Sequence, residues 1–484
     1  LGARLLGPFY GNSLYLWSSL IGLTLGALSL GYALGGLWAD RGPRLDRFSA
    51  LLAAAGIWIA ASAWLRRPIL EVTEAMGLRG AVLTASAIMF FPPLAMLGMA
   101  IPYAVRLRTA SLEVVGRAAG ELYALSTVAS VGAALLTGFV LVPLVGPSRL
   151  AFQTGAALFM ISMIGLALMK TRRIPAAVLI CAAGAAAVFG APRERTDRPE
   201  GLVAITESPY AEIRVVDFDD LRIMLLDGMI QTEVDALTLE SRAPYVDVLE
   251  LAQGFYQAPG TMLLVGLGGG SLARRYAAAG WRVDAAEIDP AVTRTAYEYF
   301  GLTPADARVY AADGREFLRE HAGSYDLIIL DAFGAGGSIP FHLVTREAFA
   351  ECKERLAPGG VVALNVIAVG WRDKLVRSVA ATLEREFSRV VVLPMAEPPD
   401  QLGNVIIFAA NRDLALNPEP PPPHDRFSSE YTRAHAWDNR FAIDPAPEQV
   451  ITDDRNPADL WAEHINYAVR KSLHEYFASR RIDW

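Results

Sequence analysis

Six apolar runs crowd into the first 192 residues, at 13–36, 49–65, 81–105, 118–145, 147–169 and 174–191. Each approaches the ~20 residues with which a helix crosses ~30 Å of hydrocarbon. Only short charged loops part them, so the pattern predicts a multi-pass α-helical membrane domain over 1–192 rather than helices buried in a soluble core. Charge divides the chain at nearly the same place. Residues 1–199 hold 17 Lys+Arg against 8 Asp+Glu, and the remainder holds 27 against 43. The mean hydropathy of +0.30 therefore averages two chemically different halves joined near Pro199. The acidic half offers phosphates no basic face, which excludes nonspecific nucleic-acid binding. Cys181 and Cys352 have neither a local partner nor metal-ligand spacing, so no disulfide framework and no metal are expected. The sequence starts at Leu1, without Met, in a semi-apolar stretch, which suggests a further segment upstream.

Gly22, Gly26, Gly31, Gly35 and Gly36 place small residues along the first run, at spacings that allow close helix approach. The abrupt end of that run, Gly35-Gly36-Leu37-Trp38-Ala39-Asp40-Arg41, resembles the short loop signature of major-facilitator transporters. Gly116-Arg117-Ala118-Ala119-Gly120-Glu121-Leu122-Tyr123 is similar to the transporter-like half of bacterial fused spermidine synthase proteins. Glu121 reads either as an intramembrane ion or substrate site or as an interface residue beside Arg117. The implied setting is a bacterial inner membrane. Basic residues at 41–47, 106–117 and 170–173 should share the cytoplasmic side. If 174–191 spans, the second half then emerges outside; if it does not, that half stays in the cytoplasm.

In the second half, Ala211–Val216 and Leu221–Leu226 flank the turn Asp217-Phe218-Asp219-Asp220 and read as a β-hairpin. From Thr261 onward, strand-like runs at 261–266, 282–286, 307–311, 325–331, 360–366, 389–394 and 404–410 alternate with amphipathic stretches. That alternation predicts an α/β domain with a mainly parallel sheet, over 200–411. The run Leu263-Leu264-Val265-Gly266-Leu267-Gly268-Gly269-Gly270-Ser271 is a buried strand feeding a glycine-dense turn, where backbone can approach a ligand and the next helix offers N–H groups. Glu287 ends the following strand, where an acid suits ribose hydroxyls. Asp313 can accept from an adenine amine, with Gly314 leaving room for the ring, or can simply cap the helix. Asp331 ends an apolar strand at the sheet's carboxyl edge, as a reactive acid or as a turn residue.

Glu207-Ser208-Pro209-Tyr210, then Leu226-Asp227-Gly228-Met229-Ile230-Gln231, the Gly266–Gly270 turn, Glu287-Ile288-Asp289, Asp313-Gly314, Asp331, Pro340-Phe341-His342-Leu343 and Ala357-Pro358-Gly359-Gly360 together resemble the ordered motifs of spermidine synthases. The resemblance covers roughly 203–411 and implies a Rossmann-like methyltransferase fold behind an N-terminal β-hairpin. The implied reaction moves an aminopropyl group from decarboxylated S-adenosylmethionine to an amine. The resemblance places Gln231, Gly266, Gly268, Gly270, Glu287, Asp313 and Gly314 around the nucleoside. It makes Asp331 the acid that orients and deprotonates the amine, puts Tyr210 in the same cleft, and implies a homodimer. His342 reads as a base or as a packing residue.

Three positions depart from that family. An acid expected inside the glycine turn is Gly269, a second acid beyond Asp331 is Gly334, and a Tyr-His-Glu stretch is Tyr245-Val246-Asp247. Enclosing a polyamine requires compensating carboxylates, which leaves Asp331, Asp247 and Glu250 as candidates. S-adenosylmethionine-dependent methyl transfer, a catalytically degenerate subunit of a membrane complex, and a transporter-like protein stand as alternatives. Beyond Asn411, Pro418 and Pro420–Pro423 predict an extended connector. The helix-like 457–477 suggests a C-terminal extension (412–484) that wraps a partner or docks on the membrane domain.

Overall fold

The computed structural model describes residues 2–10, 14–74, 76–109, 115–141, 147–167, 201–333, 339–395, 399–416, 428–442 and 449–479. The chain separates into two units, Leu1–Arg198 and Pro199–Trp484.

The first unit contains α1 (Gly2–Tyr10), α2 (Leu14–Asp40), α3 (Leu45–Glu74), α4 (Gly77–Arg108), α5 (Val115–Leu136) and α6 (Pro147–Ala167). Four stretches, Tyr15–Asp40, Leu45–Arg66, Arg79–Arg108 and Val115–Leu136, are long and apolar enough to cross a membrane. The run at 174–191 and Cys181 lie outside the described residues. Of the five glycines on α2, two do the packing. A Cβ on Gly35 would fall 2.6 Å from the Met99 Cα, and one on Gly31 would strike the Ala95 carbonyl of α4. Gly22 and Gly36 face open space, and Gly26 makes only an ordinary contact. Backbone also meets backbone between α3 and α6, where a Cβ on Gly155 would lie 2.5 Å from the Ala60 nitrogen. Glu121 is a paired acid: Arg108 reaches one carboxylate oxygen at 2.9 Å and Arg117 the other at 3.0 Å.

The second unit starts with an antiparallel sheet, β1 (Leu202–Glu207), β2 (Glu212–Phe218), β3 (Leu221–Leu226) and β4 (Met229–Asp235), paired in chain order. The expected hairpin is thus the middle of a four-stranded sheet. Asp227 and Gly228, both at positive φ, close the tight β3–β4 turn in the way that Asp-Gly pairs favour.

A seven-stranded sheet follows, made of β5 (Thr261–Val265), β6 (Arg282–Glu287), β7 (Arg308–Ala311), β8 (Tyr325–Leu330), β9 (Leu356–Val369), β10 (Arg389–Pro394) and β11 (Leu402–Ala410). The strand order is β10-β11-β9-β8-β5-β6-β7, and β11 runs antiparallel to both of its neighbours. Both faces are covered. Leu263 and Val265 enter one apolar cluster while Met262 and Leu264 enter the other, so β5 reads as an unbroken apolar run instead of an alternating one. Strand order reverses between β5 and β8, the point at which open α/β sheets leave a crevice beyond the carboxyl ends.

The helices are α7 (Pro244–Leu249), α8 (Ser271–Ala278), α9 (Pro290–Tyr299), α10 (Gly314–Glu320), α11 (Arg346–Arg355), α12 (Lys374–Leu383), α13 (Ser429–Asp438), α14 (Ala458–Trp461) and α15 (Glu463–Ser479). The last three correct the reading of the C-terminal extension. Ile451, Trp461, Ala462, Ile465 and Val469 join the apolar cluster on one face of the large sheet, and Ala436 and Trp437 join the other. These apolar anchors pack in the core of their own domain, while Leu460 and Tyr467 stay exposed.

Candidate active site

Neighbouring strands deliver Gly266 and Asp331 to one point. The Asp331 N–H donates to the Val265 carbonyl at 2.9 Å, and a Cβ on Gly266 would lie 2.5 Å from the Asp331 carbonyl oxygen. Gly266 also sits at φ +88, so both the backbone twist and the close approach demand glycine. The turn then passes Gly268 and enters α8 at Gly270, its left-handed N-terminal cap.

Glu287, at the end of β6, is tied to this turn. One oxygen accepts from the Leu267 N–H at 3.0 Å and the other from the Asp289 N–H at 2.9 Å. Burial raises its carboxyl above the ordinary value, and those backbone donors pull the other way. Each oxygen keeps capacity for another donor, so the carboxylate is held beside the turn, ready for hydroxyl groups. Strand β4 covers the turn from outside: the Gly269 N–H donates to Thr232 Oγ1 at 2.7 Å, and Gln231 is the preceding residue.

Asp313 ends the loop after β7 and caps α10 through the Arg315 and Glu316 N–H groups at 2.9 and 3.2 Å. Its other oxygen meets His342 Nε2 at 2.9 Å. The His342 contact holds the carboxyl down at about 2, against burial as the next largest effect and with help from the two backbone donors. Gly314 is glycine for a packing reason as well, because a Cβ there would collide with the Val265 side chain. His342, read from the sequence as a base or as a packing residue, spends a ring nitrogen on Asp313.

Asp331 is treated in the opposite way. Burial pushes its carboxyl up to about 7, against the lowering effect of hydrogen bonds from Asn365 and Tyr245. Asn365 Nδ2 donates to Asp331 Oδ1 at 2.9 Å, and Asn404 Nδ2 donates to Asn365 Oδ1 at 2.8 Å. The second bond fixes the Asn365 amide with its NH2 toward the acid. Burial raises the Tyr245 hydroxyl well above the ordinary phenol range, so that it stays a donor.

Two other expected residues have surroundings of a different kind. Asp247 is buried in an ion cluster, 2.6 Å from Arg275, which also binds Glu250 at 3.0 Å, while Arg433 reaches Glu250 at 2.9 Å. Those carboxylates are thus already paired with guanidinium groups. Tyr210 is exposed, at the turn between β1 and β2. Gly334 and the slack stretch 334–338 lie outside the described residues. Asn365, Asn404 and Thr232 were not singled out from the sequence. A lone Asn inside Val361-Val362-Ala363-Leu364-Asn365-Val366-Ile367 was nevertheless a readable signal, since a buried amide needs partners.

With this geometry in hand, comparison with known proteins is decisive for the second unit. A polyamine aminopropyltransferase of Vibrio vulnificus is 35% identical over 218 residues, covering 42% of this chain and 70% of that protein. The chain belongs to the polyamine aminopropyltransferase family. Polyamine aminopropyltransferase 2 of Streptomyces coelicolor aligns at 28% identity over 361 residues, 72% of this chain and 60% of that protein, more than the second unit alone contains. The eEF1A lysine and N-terminal methyltransferase of Mus musculus is 34% identical over 151 residues, 28% of this chain and 21% of its own length. No family model matches.

Position 269, where the resemblance implies an acid, is closely packed. A Cβ on Gly269 would lie 2.6 Å from Thr232 Cγ2 and 3.1 Å from the Phe300 ring. Thr232 and Phe300 therefore crowd the space that a side chain at 269 would enter.

Proposed function

We propose that the second unit transfers an aminopropyl group from decarboxylated S-adenosylmethionine to an amine, on a chain anchored in a bacterial inner membrane by its apolar helices. The observation that carries this reading is Asp331, a carboxyl with its proton affinity near neutrality, set against a glycine turn to which Glu287 is tied. Gly266 and Gly270 let that turn pack closely, since a Cβ would meet the Asp331 carbonyl and Leu302.

When bound, the donor supplies a carbon activated by its sulfonium centre. Glu287 accepts from ribose hydroxyls, Gln231 closes the rim, and Asp313, already negative, accepts from the adenine amine. Ile288, exposed just beyond Glu287, offers an apolar surface to the base. Asp331 takes the proton that an ammonium must lose before its nitrogen lone pair can attack, and a base near pH 7 suits that task. The Tyr245 and Asn365 donors then hold the carboxylate in place.

Methyl transfer from S-adenosylmethionine is the second reading, favoured by Gly269, where no acid is present for an aminopropyl ammonium. Purified full chain in nanodiscs, given each donor and a panel of amines, separates the two. Methylthioadenosine as product supports the first, and S-adenosylhomocysteine supports the second. No turnover with either rejects both. The supply of S-adenosyl compounds puts the second unit on the cytoplasmic side; protease protection in spheroplasts tests that placement.

A further inference from the structure

The C-terminal extension touches the site at two walls. On the Asp313 side, Asn456 Nδ2 donates to the Phe341 carbonyl at 2.8 Å. Arg315 grips Asp453 with two bonds of 2.7 Å and also donates to the His342 carbonyl at 3.2 Å. The Arg346 N–H donates to the Ile451 carbonyl at 2.9 Å, and the Ile451 N–H donates to Thr382 Oγ1 at 3.0 Å. The irregular stretch 451–456 is thereby sewn to α10, α11 and α12, and through Asn456 to the short turn that carries His342. On the Asp331 side, Arg433 of α13 donates to the Asp247 carbonyl at 3.2 Å and to Glu250 at 2.9 Å. That grips α7, whose first turn carries Tyr245.

We propose that the extension is a strap that positions the nucleoside site: Asn456 and Asp453 hold the Phe341–Leu343 turn so that His342 stays on Asp313 and fixes the acid that faces the adenine edge. The proposal rests on the nucleoside reading given above. Asn456 is a positioning residue, acting through His342. It also has a separable structural task, because its Oδ1 accepts from the Ala458 N–H at 3.2 Å where α14 starts. Asn456→Asp keeps that acceptor and deletes only the donor to Phe341.

The test uses the full chain in nanodiscs, with 5′-methylthioadenosine as the titrant. Asn456→Asp should weaken its binding roughly five- to tenfold, the worth of one hydrogen bond, with a Tm shift of no more than ~2 °C. Asn456→Gln, which restores an N–H donor, should recover most of the affinity. Without any nucleoside, exchange of the His342 imidazole C2 hydrogen, read by mass spectrometry, should become severalfold faster in Asn456→Asp as the ring leaves Asp313. Wild-type affinity together with wild-type exchange in Asn456→Asp would overturn the strap. If the wild-type chain itself binds no methylthioadenosine, the nucleoside reading falls. The His342 exchange then decides the strap separately, faster exchange supporting it and unchanged exchange refuting it.

Discussion

Asp313, beyond the end of β7, and Asp331, beyond the end of β8, lie at the same edge of the sheet with β5 and β6 between their strands, and their surroundings handle charge in opposite ways. Around Asp313 every neighbour stabilises the anion, namely two helix N–H groups and His342, and its carboxyl sits at about 2. Around Asp331, burial outweighs two hydrogen-bond donors and its carboxyl sits at about 7. In the function proposed above, the first acid is a fixed electrostatic fixture for binding and the second, held close to neutrality, exchanges a proton. Pairs of titratable groups pushed apart in this way are a mark of divided roles at a reacting centre.

The sharpest way to break this contrast is Asp331→Asn. Turnover should fall by roughly 10²–10⁴-fold, the usual share of a general base, while methylthioadenosine affinity stays put. Loss of affinity with retained turnover would invert the assignment. The same substitution has a thermodynamic signature. Because the folded-state value is raised, the wild-type chain loses stability as pH rises from about 4 through about 7. Asp331→Asn escapes that loss, so its Tm advantage should be present at pH 8 and vanish near pH 4, as a calorimetric pH series would show.

Gly266→Ala attacks the point where the two sides meet. A Cβ 2.5 Å from the Asp331 carbonyl, on a residue at φ +88, should cost on the order of 3 kcal/mol and remove nucleoside binding; denaturant melts and calorimetry check both. Asn365→Leu acts on one side only. Removing a donor to the ionised acid should move the acid limb of the rate profile above about 7 and lower the rate at neutral pH about tenfold. The pH profile of nucleoside affinity should stay that of the wild type, because Glu287 and Asp313 keep their partners. Thr232→Val is the mildest, leaving the Gly269 N–H without its acceptor. It should weaken donor binding severalfold, and an unchanged Kd would show that β4 is not part of the cradle.

Legibility followed the range of the interactions. The glycine turn, Glu287, Asp313 and Asp331 are marked by local pattern, since each sits at a strand end and strand ends show as the edge of an apolar run. The reason for Gly314 was not visible, because the atom it makes room for belongs to Val265 on another strand. The status of Asp247 likewise hung on Arg275 and Arg433, far along the chain. Nor could the sequence assign partners to the apolar residues of 449–469, whose periodicity is the same whether they cover their own sheet or another protein. The four-stranded sheet exceeded the expected hairpin because β1 and β4 are mixed polar and apolar, and their pairing is fixed by β2 and β3.

The Asn404–Asn365 bond joins diagonal neighbours across β11 and β9, where Asn404 lies opposite Ile367 and Ile406 opposite Asn365. A slip of β11 by one residue would turn Asn404 to the other face of the sheet. The Asn365 amide would then lose the contact that orients it, and its acid would drift in proton affinity. Alignment of a strand at one end of the domain thus doubles as a proofreading step for acid strength: a misregistered chain could look folded by every bulk measure and still be chemically mute at neutral pH.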